Sequence, residues 1–331
     1  MLNPDLELNP KLFDADVEVK PTRAGYGEGL LALGEKNPNV VALSADLTES
    51  TYAHLFAEKF PDRFFQVGVA EQNMAAIAAG LGISGKIPFM SSYATFSPGK
   101  NWETIRTTII YNNSNVKIAG HHAGIMTGPD GATHQATEDI ASIRAWPNIT
   151  ILVPCDGIEA KKATIAAASI DGPVYLRFSR DKSPIMTTND SPYDPTKIST
   201  FWTTDSPVTT IFSTGYMTYY ALLAAKELQE ENIQVLVANV ATIKPLDSDT
   251  ILSLIEKTNS AVTVEDHQVA GGLGGAISEL LAKTKPTPIE FIGLQDTFAE
   301  SGKPSELIEK YGMGKNAIKE AVKRVLKRKI T

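Results

Sequence analysis

The sequence predicts an α/β protein of two domains, each a mostly parallel sheet flanked by helices. Three observations carry this. Short apolar runs alternate with segments of helical period along nearly the whole chain, the pattern of βαβ units. At 331 residues the chain is too long for one compact core. And Asp181–Pro207, with Pro184, Pro192, Pro195, Pro207 and many Ser, Thr and Asp, interrupts the series without sustained periodicity, as a surface linker does. The expected units are an N-terminal arm (1–20), a first α/β domain (21–182), a linker (183–206) and a second α/β domain (207–331).

In order, a helix is expected from Arg23 to about Glu35 and a strand over Asn39–Asp46. Phe64–Val69 is apolar enough for a buried strand. Met74, Ile77, Ala78 and Leu81 follow at the spacing of one helix face. Lys86–Ser92 is a strand, about Pro98 to Tyr111 a helix, and Val116–His121 a strand that enters a loop rich in Gly and His. Ala136–Ala145 and Gly157–Ala168 read as helices, Ile149–Val153 and Val174–Phe178 as strands. The second series has strands Val208–Ser213, Ile233–Asn239, Ala261–Glu265 and Pro288–Ile292. Its helices are Met217–Glu230, Asp247–Lys257, Leu273–Lys283, Pro304–Tyr311 and Lys315–Lys329.

Charge and composition narrow the function. A formal net charge of −7 and a pI near 5.4 argue against a general nucleic-acid or anionic-membrane surface. The polar N-terminus lacks a signal-peptide pattern, and no apolar run reaches the ~18 residues of a membrane span; a cytoplasmic protein is expected. The one cysteine, Cys155, ends an apolar strand and reads as a buried thiol. The basic end of the last helix, from Lys323 to Lys329, reads as solvated and favoured by the helix dipole.

Several residues could carry chemistry. Glu71 stands at a strand-to-helix junction, where ligands bind in open α/β sheets, although a first-turn acid favoured by the dipole is as good a reading there. The loop His121–Gln135 holds three of the five histidines, with Asp130 among glycines. It lacks the paired spacing of a zinc site and suits hydrogen bonding and proton transfer on a polyhydroxylated substrate. No metal ligand is assigned in this chain. Arg23, Arg106 and Arg180 can each hold a phosphate or pair at the surface. Ser50 can cap a helix or help bind an anion. Tyr93 and Phe96 fit a core or a platform for a flat heteroaromatic ring. Gly271–Gly275 fails the dinucleotide fingerprint and reads as a tight turn, and His267 before it stays open between site and turn.

Together, SADLT (Ser44–Thr48), VAEQNMAAIAAG (Val69–Gly80), the aromatic pair, DGATHQ (Asp130–Gln135) and FSR (Phe178–Arg180) resemble the C-terminal half of transketolase, from about Pro21 onward. The resemblance implies thiamine diphosphate with Mg²⁺. It makes Glu71 the glutamate that hydrogen-bonds the aminopyrimidine, in a pocket where burial favours a protonated carboxyl. It implies that Tyr93 and Phe96 stack on that ring and that Asp46 lies near the thiazolium. His122 and His134 would act in catalysis and, with Asp130, line the substrate channel. Arg23, Ser50 and Arg180 would hold a sugar phosphate. Gly99 and Ala132 depart from the family pattern, at a third ring and at a loop proline. The GDG and downstream Asn pair of the diphosphate site are missing; Cys155-Asp156-Gly157 is the nearest string, and Asn112-Asn113 precedes it. A second, N-terminal polypeptide is therefore expected to supply that site in an α₂β₂ assembly. The alternatives are a β-like subunit of a 2-oxo-acid dehydrogenase, a deoxyxylulose-phosphate-synthase-like enzyme, or a non-catalytic scaffold.

Overall fold

The computed structural model describes residues 1–329. In chain order its strands are β1 (Val19–Pro21), β2 (Val40–Ser44), β3 (Phe64–Gln66), β4 (Ile87–Tyr93), β5 (Lys117–His121), β6 (Thr150–Leu152), β7 (Val174–Arg177), β8 (Lys182–Pro184), β9 (Ser199–Trp202), β10 (Thr209–Ser213), β11 (Val235–Asn239), β12 (Thr242–Lys244), β13 (Ala261–Gln268) and β14 (Ile289–Leu294). The helices are α1 (Thr22–Lys36), α2 (His54–Lys59), α3 (Glu71–Ile83), α4 (Trp102–Thr104), α5 (Asp139–Arg144), α6 (Gly157–Ala167), α7 (Met217–Glu230), α8 (Ser248–Thr258), α9 (Leu273–Lys283), α10 (Pro304–Lys310) and α11 (Lys315–Arg328).

A seven-stranded sheet has the order β12-β6-β7-β5-β4-β2-β3, and a five-stranded sheet β14-β13-β10-β11-β9. Pairing is parallel except at one edge of each, where β12 runs against β6 and β9 against β11. Fully buried runs such as VVALS in β2 and VLVAN in β11 are what a sheet covered on both faces requires. Chain order runs from β2 out to β3 and returns on β2's other side as β4. That reversal opens a crevice at the strand carboxyl ends, where Asp46 and Tyr93 emerge.

Packing is tightest between α1 and α6. A Cβ on Gly25 would sit 1.9 Å from the Gly157 carbonyl oxygen, so this contact requires glycine. One apolar cluster joins the two sheets, with Met74, Ile109, Ile143 and Trp146 from the first and Phe212, Leu236, Ile251 and Ile277 from the second. A buried ion pair reinforces the junction: Arg177 Nε donates to Asp139 Oδ2 at 2.8 Å, and Arg177 also donates to the Asp266 carbonyl. The Tyr175 hydroxyl donates to the same Asp139 oxygen.

Several segments differ from expectation. The Phe64 strand is short and lies at a sheet edge with Phe65 and Val69 exposed, while Phe64 and Val67 pack against the core only in part. The segment around the helix expected from Pro98 is irregular: Thr95–Lys100 is broken at Ser97, whose backbone is extended, and two turns are wide, with Gly99 N bonding Ala94 O and Tyr111 N bonding Arg106 O, each five residues apart. The stretch expected as a surface linker contributes β8 and β9 and buries Ile185, Met186, Phe201 and Trp202. Asp156 fastens it by accepting the Met186 and Thr187 amides. The N-terminal arm lies against the second sheet: Asn3 N donates to Phe201 O, and Phe13 meets Trp202 edge-on at 6.0 Å. The basic end of α11 is largely ion-paired, Lys323 with Glu231 and Arg324 and Arg328 with Glu290.

Candidate active site

The carboxyl ends of β2, β4, β5 and β7 deliver most of the predicted residues to one place. Tyr93 ends β4, and its ring stacks on His122 with centroids 3.7 Å apart. Phe96, one widened turn later, lies nearly parallel to Tyr93 at 5.9 Å and 20°. His134 meets Phe96 edge-on at 5.5 Å. Tyr93 and Phe96 are half-buried, so neither ring is sealed in a core. His122 takes up φ +54°, a left-handed turn that lifts it out of the line of β5.

Beside the rings lies a basic cluster. Arg23, in the first turn of α1, donates to Ser50 O at 2.7 Å and to Arg180 O at 3.0 Å. Arg180 donates to Thr127 O, and its Nε lies 3.8 Å from Asp130 Oδ2. Ser50 therefore enters through its backbone carbonyl. The two guanidinium groups, both half-buried, shape the local field. His122 is pushed down to about 3 by burial first, then by Arg23, Arg180 and His134, so it is a neutral imidazole with one donor and one acceptor. Its Nδ1 is buried without a partner.

Glu71 opens α3 and is 2% exposed. Sequence reasoning gives it little polar company. Instead Lys100 Nζ lies 2.9 Å from Glu71 Oε2, and Asn101 Nδ2 donates to the Glu71 carbonyl. No periodicity signals this contact, because the extra residue in the widened turn is what brings Lys100 round. Asp46, by contrast, is exposed at the end of β2; its backbone N–H donates to Gln66 Oε1, and among the described residues its carboxylate bonds none of the others. Arg106 is exposed on the helix that follows, outside the basic cluster.

The histidine loop is supported from the second domain. Asp266 accepts the Ile125 amide at 2.9 Å, and Gln135 Nε2 donates to Glu300 O. Gly131, at φ +74°, leaves room for Ser301. Of the EDH string, Asp266 alone holds the loop; its neighbours hold helices, His267 Nε2 accepting the Ala141 amide of α5 and Glu265 accepting the Leu273 and Gly274 amides of α9. The glycine-rich turn is the start of α9 seated on that carboxylate. Cys155 is buried. Among the described residues, no three His, Cys, Asp or Glu side chains form a metal cluster.

Residues 19–185 match the family described as transketolase, pyrimidine binding domain, and residues 203–318 match transketolase, C-terminal domain. The chain belongs to the transketolase family. It is 41% identical to a putative transketolase C-terminal section from Methanocaldococcus jannaschii, over 93% of this chain and 97% of that protein. It is 35% identical to the 6-deoxy-6-sulfo-D-fructose transketolase subunit SqwH of Clostridium sp. (strain MSTE9), over 96% and 98%. Human transketolase is 33% identical over 91% of this chain but 48% of its own length. Among solved structures, a split gene transketolase described as an inactive beta4 tetramer superposes with a TM-score of 0.87 at 41% identity, over 94% of this chain and 99% of that one. Campylobacter jejuni transketolase, at 23% identity and TM-score 0.79 over 95% of this chain and 50% of its own, shares the fold.

Over its length the chain thus corresponds to a transketolase C-terminal section, and it is similar to a chain of a split gene transketolase. The pyrimidine-binding match implies thiamine diphosphate. The residues present fit a pyrimidine ring: two near-parallel half-buried rings, a buried carboxyl group, and Ser92 Oγ, Thr95 Oγ1 and Asn101 Oδ1, close by in sequence and buried without partners among the described residues. Among the described residues no helix is long and apolar enough to cross a membrane.

Proposed function

We propose that this chain is the C-terminal subunit of a split transketolase that moves a two-carbon ketol unit from a ketose phosphate to an aldose phosphate. One observation carries the reading: a buried carboxyl group, a half-open aromatic pair, two histidines and two arginines converge at one end of one sheet. The N-terminal partner supplies the diphosphate and Mg²⁺ site, and the pair assembles as α₂β₂. Val69, Ile83 and Tyr111, exposed at and near the two ends of α3, are apolar side chains that such an assembly would cover.

Bound thiamine diphosphate supplies the electron sink for breaking a carbon–carbon bond beside a carbonyl. In this reading Glu71 presents a carboxyl group to the pyrimidine N1′ and shares a proton with it. Tyr93 and Phe96 fix the ring plane, and Asp46 stands near the thiazolium end. Neutral His122, together with His134, holds and moves protons at substrate hydroxyls. Arg23 and Arg180, with Ser50 bracing Arg23, clamp the substrate's terminal anion, and Asp130 orients Arg180 and meets a hydroxyl. The clamp contributes positioning, which lowers the barrier as entropy removed in advance. The same guanidinium pair suits a sulfonate.

The test is reconstitution with the partner, thiamine diphosphate and Mg²⁺, assaying ketol transfer from phosphorylated and 6-sulfo ketoses. Transfer by wild type and its loss in Glu71→Ala are expected. Undiminished transfer by Glu71→Ala refutes the assignment, and pyruvate decarboxylation without ketol transfer points to a 2-oxo-acid subunit.

A further inference from the structure

The contact on Glu71 asks for a function of its own. Its carboxylate is 2% exposed, whereas the Lys100 side chain that pairs with it is 48% exposed. The cation reaches in from the surface on a flexible stem. Lys100 ends the widened turn Thr95–Lys100, the segment that also presents Phe96. The five-residue bonds of this turn, Gly99 N to Ala94 O and Asn101 N to Phe96 O, set Lys100 over the carboxylate and Asn101 under the Glu71 carbonyl. Gly99 and Lys100 are both exposed, so the lysine stem borders solvent, into which it can swing.

We propose that Lys100 is a displaceable counter-ion that occupies Glu71 in the free subunit and yields it to the cofactor ring as the site is assembled. The proposal rests on the reading of Glu71 as the carboxyl group that meets the pyrimidine. A buried carboxylate left alone is costly, so the free chain keeps its counter-ion. The ring nitrogen needs the same carboxyl oxygen that the Lys100 ammonium occupies at 2.9 Å. The latched state therefore lowers apparent cofactor affinity by the fraction of subunits that are unlatched. Lys100 is a positioning residue, since it acts through Glu71.

Two measurements test this. In the free subunit, denaturant unfolding of wild type, Lys100→Met, Glu71→Gln and the double variant forms a double-mutant cycle. Lys100→Met is expected to lower the midpoint when Glu71 is present and to be near neutral in the Glu71→Gln background; additive effects overturn the latch. In the complex with the N-terminal partner and Mg²⁺, thiamine diphosphate affinity is read by tryptophan fluorescence. Lys100→Met is expected to bind about fivefold tighter, and Lys100→Arg, which keeps the charge, to bind as wild type does. Equal or weaker binding by Lys100→Met overturns the proposal. A preserved cycle with no cofactor binding by the wild-type complex instead overturns the thiamine reading, and the gating with it.

Discussion

The two arginines and the neutral histidine make separable predictions at the scale of single residues. Arg180→Ala removes one charge-assisted hydrogen bond to the substrate anion, worth about 1.5–3 kcal/mol. The KM for an aldose phosphate should rise roughly 10- to 100-fold, with a smaller change for a neutral aldose acceptor. An equal loss for both would mean that Arg180 does not hold the anion. His122 has its proton affinity pushed down to about 3 by burial and by Arg23, Arg180 and His134. Unfolded, it returns to the ordinary histidine range near 6.5. The unfolded chain therefore binds the extra proton, and the stability tied to neutral His122 is full above about 6.5 and lost as pH falls toward 3. Denaturant unfolding of wild type and His122→Asn from pH 8 to pH 4 should show the wild-type advantage shrinking as pH falls; a constant difference would count against it. Most of these residues were legible in the sequence because histidines and acids crowded among glycines, and arginines at element ends, are unusual locally. Lys100 was not: nothing in SPGK marks a residue that an irregular turn will carry onto a distant carboxylate.

Elements show a different division. The long helices α7, α9 and α11 were readable because each lays one continuous apolar face on the second sheet. The short strands β8, β9 and β12 were not, since three or four residues carry too little periodicity to stand out from a proline-rich stretch. α3 is the element that both the crevice and the proposed partner share. Gly80 on its outer face has no atom within 4 Å of a would-be Cβ. Gly80→Ala should therefore stabilise the free subunit by about 0.5–1 kcal/mol through helix propensity. If the N-terminal partner packs there, the same change weakens assembly, read as a higher dissociation constant by sedimentation. The opposite case is Gly25 on α1, where a methyl group would strike the Gly157 carbonyl. Gly25→Ala should cost about 1–3 kcal/mol, seen as a lower unfolding midpoint.

Over the whole molecule, the two α/β units meet at a shared apolar cluster and at a buried ion pair of the first unit that reaches the second through the Asp266 carbonyl. Asp139 and Arg177 are both buried, and removing one partner of such a pair costs about 3–5 kcal/mol. Asp139→Ala should therefore lower the unfolding midpoint strongly. It should also raise amide exchange in the Ile125–Asp130 segment, which Asp266 braces from the second domain while Arg177 of the first holds the Asp266 carbonyl. Slow exchange there, with stability lost, would separate the ion pair from the loop. The division at 21–182 and 207–331 remains a proposal about independent units, and β12 bears on it directly. This three-residue strand comes from the second half of the sequence yet completes the edge of the first sheet, beside β6. A fragment cut anywhere in 185–206 would leave the backbone amides and carbonyls of β6 facing water. Open edges of that kind pair with whatever strand arrives next. The chain is thus sewn across its own boundary, and the first half made alone should associate with itself, in a gel-filtration profile that a synthetic Ala241–Pro245 peptide partly restores to monomer.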